Sequence, residues 1–292
     1  MIKQHRIVTA MLVSLSLVGM AVAPAMAQSI DFLRRTTTEL APDLYTFGSF
    51  AARSIFLVTD DGVIATDPVS VEHAAKMRAA IARVTDQPVK YVVYSHEHWD
   101  HVLGGQIFKD DGATIISHRK CVPYFEDNPH PDLVMPDETV SDTTELTLGG
   151  KTLRLMYFGE NHGKCTLVMQ LDGTDVLFVN DLVTPFSVGL GTMPDYDPGD
   201  WVRTLREMEA MTGWSRMVGG HGPPSAPKAA LVERRRYLEA LMASVKEQMD
   251  AGKGMREIIA DTSLPEFSHM SGYEAQIDRA AERIYYYYSM GW

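Results

Sequence analysis

The chain is short of cysteine, has no basic excess and, past its first residues, no long apolar run. Its 27 Lys and Arg face 38 Asp and Glu, for a formal net charge of −11. No basic stripe interrupts that acidic balance, which argues against a nucleic-acid partner. Cys121 and Cys165 are the only cysteines. They can pair or stay free, and each reads first as a small buried apolar residue. Internal repeats, linkers and a second domain are also missing from the pattern.

The one long apolar run, Ile7 to about Ala23, follows Lys3 and Arg6 and leads to Ala25-Met26-Ala27. Thr9, Ser14 and Ser16 interrupt it, so residues 1–27 read as a secretory signal peptide cleaved before Gln28 rather than as a membrane anchor. No twin arginine precedes it, so the general secretory route is expected. Periplasmic or extracellular localisation follows for a bacterial source, with no stable membrane insertion after cleavage. Without Lys3 and Arg6 the mature chain keeps 25 basic against 38 acidic residues, a charge of −13. Its roughly 265 residues suffice for one well-buried domain over 28–292, with C-terminal helices from about 226.

What is present concentrates in Tyr94-Ser95-His96-Glu97-His98-Trp99-Asp100-His101-Val102-Leu103-Gly104. The stretch follows Val89–Val93, a short β-branched and aromatic run that reads as a buried strand. One His-x-His is more often a polar turn. Three histidines and an aspartate within six positions, directly after a strand, offer the imidazole and carboxylate ligands that Zn2+ prefers.

The stretch resembles the signature of the metallo-β-lactamase-fold hydrolases. The resemblance implies a four-layer αββα sandwich and further ligands in order downstream: His162 in Gly159-Glu160-Asn161-His162-Gly163, Asp181 after Val176–Val179, and His221 in Gly219-Gly220-His221-Gly222. Each follows a strand-like run, where a sheet presents loop residues at one rim. On this reading His96, His98 and His162 hold one Zn2+, and Asp100, His101 and His221 hold a second. Asp181 bridges them beside a hydroxide that acts as nucleophile on a small-molecule carbonyl substrate. Asp100 is the candidate catalytic residue, orienting water and returning a proton. Asp67, ending a strand before Pro68, is implied as a support behind the metal loop.

The acid at 181 is similar to the lactonase and glyoxalase II-like branches, because the best-known zinc β-lactamases carry cysteine there. Secretion and C-terminal helices resemble the periplasmic zinc hydrolases found beside quinoprotein dehydrogenases. Asn161-His162-Gly163-Lys164-Cys165 departs from the Gly-His-Thr-x-Gly pattern usual at the third histidine. A β-lactamase, an iron-loaded oxidoreductase of the sulfur dioxygenase type and a non-catalytic metal-binding protein are the alternatives.

Elsewhere Leu44–Phe47, Ser54–Thr59, Gly62–Thr66, Ala113–Ser117 and a Glu145–Tyr157 hairpin across Gly149-Gly150 read as strands. Val71–Val84, Leu103–Asp111, Lys228–Met249, Gly252–Asp261 and Tyr273–Tyr288 read as helices. Two irregular stretches, about 122–142 and 184–199, carry aromatics and methionines suited to a pocket wall or to the core.

Overall fold

A computed structural model describes residues 36–49, 51–192 and 195–291. The signal-peptide reading of residues 1–27 lies outside the described residues.

The first half of the chain builds one sheet. Strands β1 (Thr36–Ala41), β2 (Leu44–Ser49), β3 (Ala52–Thr59) and β4 (Gly62–Thr66) run antiparallel. Strands β5 (Val89–Val93), β6 (Thr114–His118) and β7 (Glu138–Val140) extend it in parallel. Parallel pairing needs crossovers, and helix α1 (Val71–Val84) supplies the one between β4 and β5. Ser70 caps α1 by accepting a hydrogen bond from the His73 N–H.

The second sheet has the order β13-β12-β11-β10-β9-β8, from β8 (Thr143–Leu148), β9 (Lys151–Tyr157), β10 (Leu167–Leu171), β11 (Val176–Asn180), β12 (Arg216–Gly219) and β13 (Ala226–Pro227). Its strands pair antiparallel except β11 with β12, which are parallel. Since β9 and β11 both run against β10, the C-terminal ends of β9, β11 and β12 share one edge.

Period-2 alternation sorts each strand's side chains between two cores. Ile55, Leu57, Ile64, Val93 and Ile116 of the first sheet meet Leu155, Leu167, Met169, Phe178 and Val218 of the second. On the far side Phe56, Ala65, Val92 and Ile115 pack on Ala74, Met77 and Ile81 of α1. The one-turn helix α2 (Trp99–Val102), then α3 (Gln106–Asp110) and α4 (Cys121–Asp127), complete that layer. Behind the second sheet Val168, Leu177, Val179 and Met217 bury Trp201, Leu205 and Met208 of α5 (Pro198–Ala210). Helices α6 (Ala229–Asp250), α7 (Met255–Asp261) and α8 (Tyr273–Met290) close the layer. The order is helices, sheet, sheet, helices, the four-layer αββα arrangement expected.

Strands β1 and β10 and helix α5 join the expected elements, and the helix expected over Leu103–Asp111 is two short ones either side of Leu103-Gly104-Gly105. The stretch at 122–142 contains α4 and β7. Cys121, opening α4, forms a disulfide with Cys165, so the pairing left open by the sequence is made.

Candidate metal centre

The loops after β5, β9, β11 and β12 meet at one rim. Two backbone hydrogen bonds stitch the sheets there: Leu167 N–H to the Ser95 carbonyl and Arg53 N–H to the Gly220 carbonyl, each 2.7 Å. All seven ligand positions named from the sequence arrive at this rim, in two groups: His96, His98, His162 and Asp100, His101, Asp181, His221.

In the first group His98 Nδ1 lies 2.9 Å from His96 Nε2 and 3.1 Å from His162 Nε2. That is close to the edge of about 3.3 Å expected between nitrogens around a tetrahedral Zn2+. In the second group Asp181 Oδ2 is 3.2 Å from His221 Nε2 and 3.3 Å from His101 Nε2. Asp100 Oδ2 is 3.4 Å from His221 Nε2. The same Asp181 oxygen is 3.7 Å from His162 Nε2. One carboxylate oxygen therefore faces both groups.

The ring faces are set from behind, as metal-binding imidazoles usually are. Asp67 accepts from the Ser95 N–H and hydroxyl at 2.7 Å each, and from the Asn180 amide at 2.7 Å. Its Oδ2 lies 3.3 Å from His101 Nδ1, so the supporting role implied for Asp67 is the one it occupies. Asn180 turns its Oδ1 to the Asp181 N–H and fixes that residue's direction. Asn161 does the same for the His162 N–H. His221 Nδ1 donates to the Ala51 carbonyl at 3.0 Å. Asp195 holds His98 Nε2 at 2.7 Å. Asp67 and Asn180 sit at positive φ, 34° and 49°, and Val69, at 67°, is a true outlier for a β-branched residue. The Val69 N–H to His101 carbonyl bond, 2.9 Å, holds that strain against the metal loop. A Cβ on Gly220 would come 2.3 Å from Asp181 Oδ1, so only glycine lets this strand end pass the carboxylate.

A metal fits these side chains. His101 Nε2 and Asp181 Oδ1 are buried and have no hydrogen-bond partner among the described residues. Buried polar atoms are seldom left so without an ion or water. Electrostatics differ between the groups. Burial, with neighbouring imidazoles, holds His96 well below the usual histidine range and His162 down to about 3. Burial opposes charge on His221 too, yet the Asp181 charge and hydrogen bonds to Asp100 and Asp181 push it up to about 10. His101, opposed by burial and drawn by Asp181 and Asp67, is raised well above its usual value. Asp100, against burial and aided by His221, falls to about 2. Without metal, protons on His101 and His221 balance the carboxylates.

Both groups open onto a cavity of about 720 Å3 lined by His98, Asp100, Tyr124, His162, Asp181 and Leu190 among others. The irregular stretches thus contribute Tyr124 and Leu190 to its wall, whereas Phe125 and Tyr196 are core. Met193 lies outside the described residues.

Sequence reasoning missed Asp195, Asn180, Asn161 and Glu97. Glu97 lies inside the motif but is fully buried, accepting from the Lys164 N–H and touching Cys165 Sγ at 2.9 Å. Asn180 carried a signal, a polar residue between an apolar strand and a ligand. Asp195 carried none.

A family model described as Metallo-beta-lactamase superfamily matches residues 48–214. The chain is 24% identical over 189 residues to a 2,4-dinitroanisole O-demethylase subunit alpha of a Nocardioides species, 64% of this chain and 57% of that one. It is 25% identical over 192 residues to a beta-lactamase-like protein 2 homolog of Caenorhabditis elegans, 66% of this chain and 61% of the relative. A linear primary-alkylsulfatase of a Pseudomonas species aligns at 21%, covering 80% of this chain and 54% of that one. The chain thus spans little more than half the length of the curated relatives it matches. Among solved structures, a metallo-beta-lactamase from Pontibacter korlensis superposes with a TM-score of 0.62 at 19% identity, over 70% of this chain and 99% of that one. A stereoselective inverting sec-alkylsulfatase from a Pseudomonas species gives 0.76 at 16% identity, over 88% and 51%.

Proposed function

The chain belongs to the metallo-beta-lactamase superfamily, and from that premise we propose that it is an exported, metal-dependent hydrolase holding two Zn2+ and cleaving a small carbonyl compound: a lactone, ester, thioester or lactam. The observation that carries the reading is Asp181 Oδ2, set 3.2 to 3.7 Å from ligand nitrogens of both groups. When bound there, two divalent cations supply positive charge that polarises an electrophile and lowers the pKa of a water from about 15.7 to about 7.

The chain's own residues do the rest. His96, His98 and His162 present three ring nitrogens, two of them on imidazoles that burial holds neutral. Asp181 sets its charge between the two groups and fixes their spacing. The Asp100 side chain is 62% exposed at the cavity and ionised at neutral pH, so the oxygen that does not face His221 can accept a hydrogen bond from a water and orient it. A proton taken there can pass to the leaving group. The acid at 181, rather than cysteine, favours the lactonase and glyoxalase II-like side of the superfamily.

Export draws on the N-terminal segment and on the Cys121–Cys165 disulfide, since such bonds persist in oxidising compartments. Edman sequencing of the protein recovered from periplasm should begin at or near Gln28; a membrane-bound chain retaining residues 1–27 would make the segment an anchor. The acidic balance of the chain offers a nucleic acid no basic stripe.

Metal analysis followed by a panel of lactones, thioesters, aryl esters and β-lactams tests the function. Alkyl sulfates join the panel because two relatives bear alkylsulfatase names. Two zinc per chain with turnover of a carbonyl substrate is expected. One iron per chain with oxygen-dependent turnover would make it an oxidoreductase instead, and β-lactam turnover alone would make it a β-lactamase.

A further inference from the structure

Arg234 lies on the cavity opposite the usual logic of a buried charge. It projects from α6, is 4% exposed, and lines the same cavity as the metal ligands. Of its five N–H donors, one meets an acceptor among the described residues, the Val188 carbonyl. Among the described residues no carboxylate pairs with it. Its guanidinium carbon instead sits 4.8 Å over the Trp201 ring and 5.6 Å from Tyr237. Trp201 is in turn 5.1 Å from the His162 ring, so one indole separates the cation from the first metal group.

Burying an unpaired ion is costly, and the two aromatic contacts offset only part of that cost. A residue kept only for packing would be neutral. The surrounding groups are donors too. Gln276 accepts from the Gly191 N–H through Oε1 at 3.0 Å, which leaves its NH2 end free beside the cavity. Gly272, also on the cavity, is the N-cap of the 18-residue helix α8, and no side chain caps that helix end. The Tyr273 and Ala275 N–H groups there are bonded to the Met270 and Gly272 carbonyls, so what this helix end adds is the positive potential of its dipole. Gly189, another lining residue, is close enough that a Cβ would stand 3.3 Å from the guanidinium Nη2. Of the carboxylates on the cavity, Asp100 and Asp181 belong to the metal groups and Asp195 is taken by His98.

We propose that Arg234, with Gln276 and the α8 N-terminus, forms an anion subsite that recognises a carboxylate carried by the substrate away from its scissile carbonyl. This rests on the reading of the cavity as a hydrolase active site. The substrate class narrows to half-esters, half-thioesters or lactones bearing a free acid.

The zinc-loaded protein is assayed with mono-(4-nitrophenyl) glutarate and 4-nitrophenyl valerate, which differ by a terminal carboxylate in place of a methyl group. The expected result is a kcat/KM at least tenfold higher for the glutarate ester, expressed in KM. Arg234→Gln should erase that preference, bringing the ratio of the two kcat/KM values to about one, and Arg234→Lys should restore part of it. Equal kcat/KM for the two esters in the wild type, or a preference that survives Arg234→Gln, overturns the proposal. Should Arg234→Gln fail to fold, inhibition of valerate-ester hydrolysis by free glutarate and free valerate decides: both offer one carboxylate to the metals, and only glutarate has a second for Arg234. Tenfold tighter inhibition by glutarate supports the subsite; equal inhibition rejects it. If neither ester is cleaved, calorimetric titration of glutarate against valerate into the zinc-loaded protein settles the subsite by the same tenfold criterion, while the wider substrate panel decides the hydrolase reading.

Discussion

The two halves of the metal centre are built on opposite electrostatic plans. His96, His98 and His162 come from two loops and carry no carboxylate; two of the three are held neutral by burial. Asp100, His101, Asp181 and His221 come from three loops and carry two carboxylates, with both histidines drawn to protonate. The first half is ready to accept a cation; the second must release protons to do so. Their supports are unequal: Asp195 stands behind His98, whereas Asp67 and Asn180 stand behind His101 and Asp181 and, through the Ser95 hydroxyl 3.0 Å from His96 Nδ1, reach the histidine half as well. Two sites that share one oxygen should therefore respond unequally to change.

The largest effect expected is loss of a ligand. His98→Ala and His221→Ala should each lower turnover by roughly a hundredfold or more, beyond the 10- to 100-fold range for supporting residues. Each should lose one metal, from opposite halves, with the fold kept by circular dichroism. A variant with full metal content and near-normal turnover would remove that residue from the site.

Next come the supports. Asp195→Asn should weaken metal binding in the histidine half by roughly 10- to 100-fold and spare the other, and Asp67→Asn should weaken the carboxylate half most, with a smaller loss in the histidine half passed through Ser95 to His96. Cobalt spectra distinguish the halves, and equal damage to both would erase the comparison.

This pair also shows what the sequence carried. All seven candidate positions were legible because the motif after β5 packs four of them into six positions, and the resemblance it carries pointed to the other three past later strand-like runs. The sandwich order was implied by the motif's resemblance to the metallo-β-lactamase-fold hydrolases. Asp195 was illegible because a contact across 97 residues, from a loop without periodicity, leaves no local trace. Helix α5 was overlooked although Asp197-Pro198 is a cap followed by a residue fit for the first turn, and Trp201, Leu205 and Met208 keep helical spacing. Strand β10 was missed because both its faces are buried, so it shows no alternation.

A smaller effect concerns protons. At pH 7.5 metal binding to the carboxylate half should release more protons than binding to the histidine half, because His101 and His221, raised in the metal-free protein, must deprotonate. In the first half only His98 is raised, by Asp195 against burial. Calorimetry in buffers of different ionisation enthalpy reads the difference, and equal release would contradict it.

The stability of the metal-free chain should show the same division. Burial holds His162 at about 3 and His73 at about 4, so below about 6.5 the unfolded chain takes up protons that the folded one refuses. Stability should fall as pH drops from 6.5 towards 4. His221, raised to about 10, contributes fully below 6.5 and loses its contribution as pH rises through about 10. Urea melts at pH 4.5, 6.5 and 9.5 should be most resistant at the middle value.

The claim at the centre of the account is that Asp181 joins the two halves through one carboxylate. Metal content after equilibrium dialysis against zinc, in wild type and Asp181→Asn, tests it most directly. The substitution keeps the side chain's size and one acceptor oxygen while deleting the charge that offsets two cations. Two zinc per chain in the wild type and one in Asp181→Asn, with a large fall in turnover, is the predicted result. Two zinc and unchanged turnover in Asp181→Asn would contradict it, leaving Asp181 as a strand-end residue beside a site of six ligands.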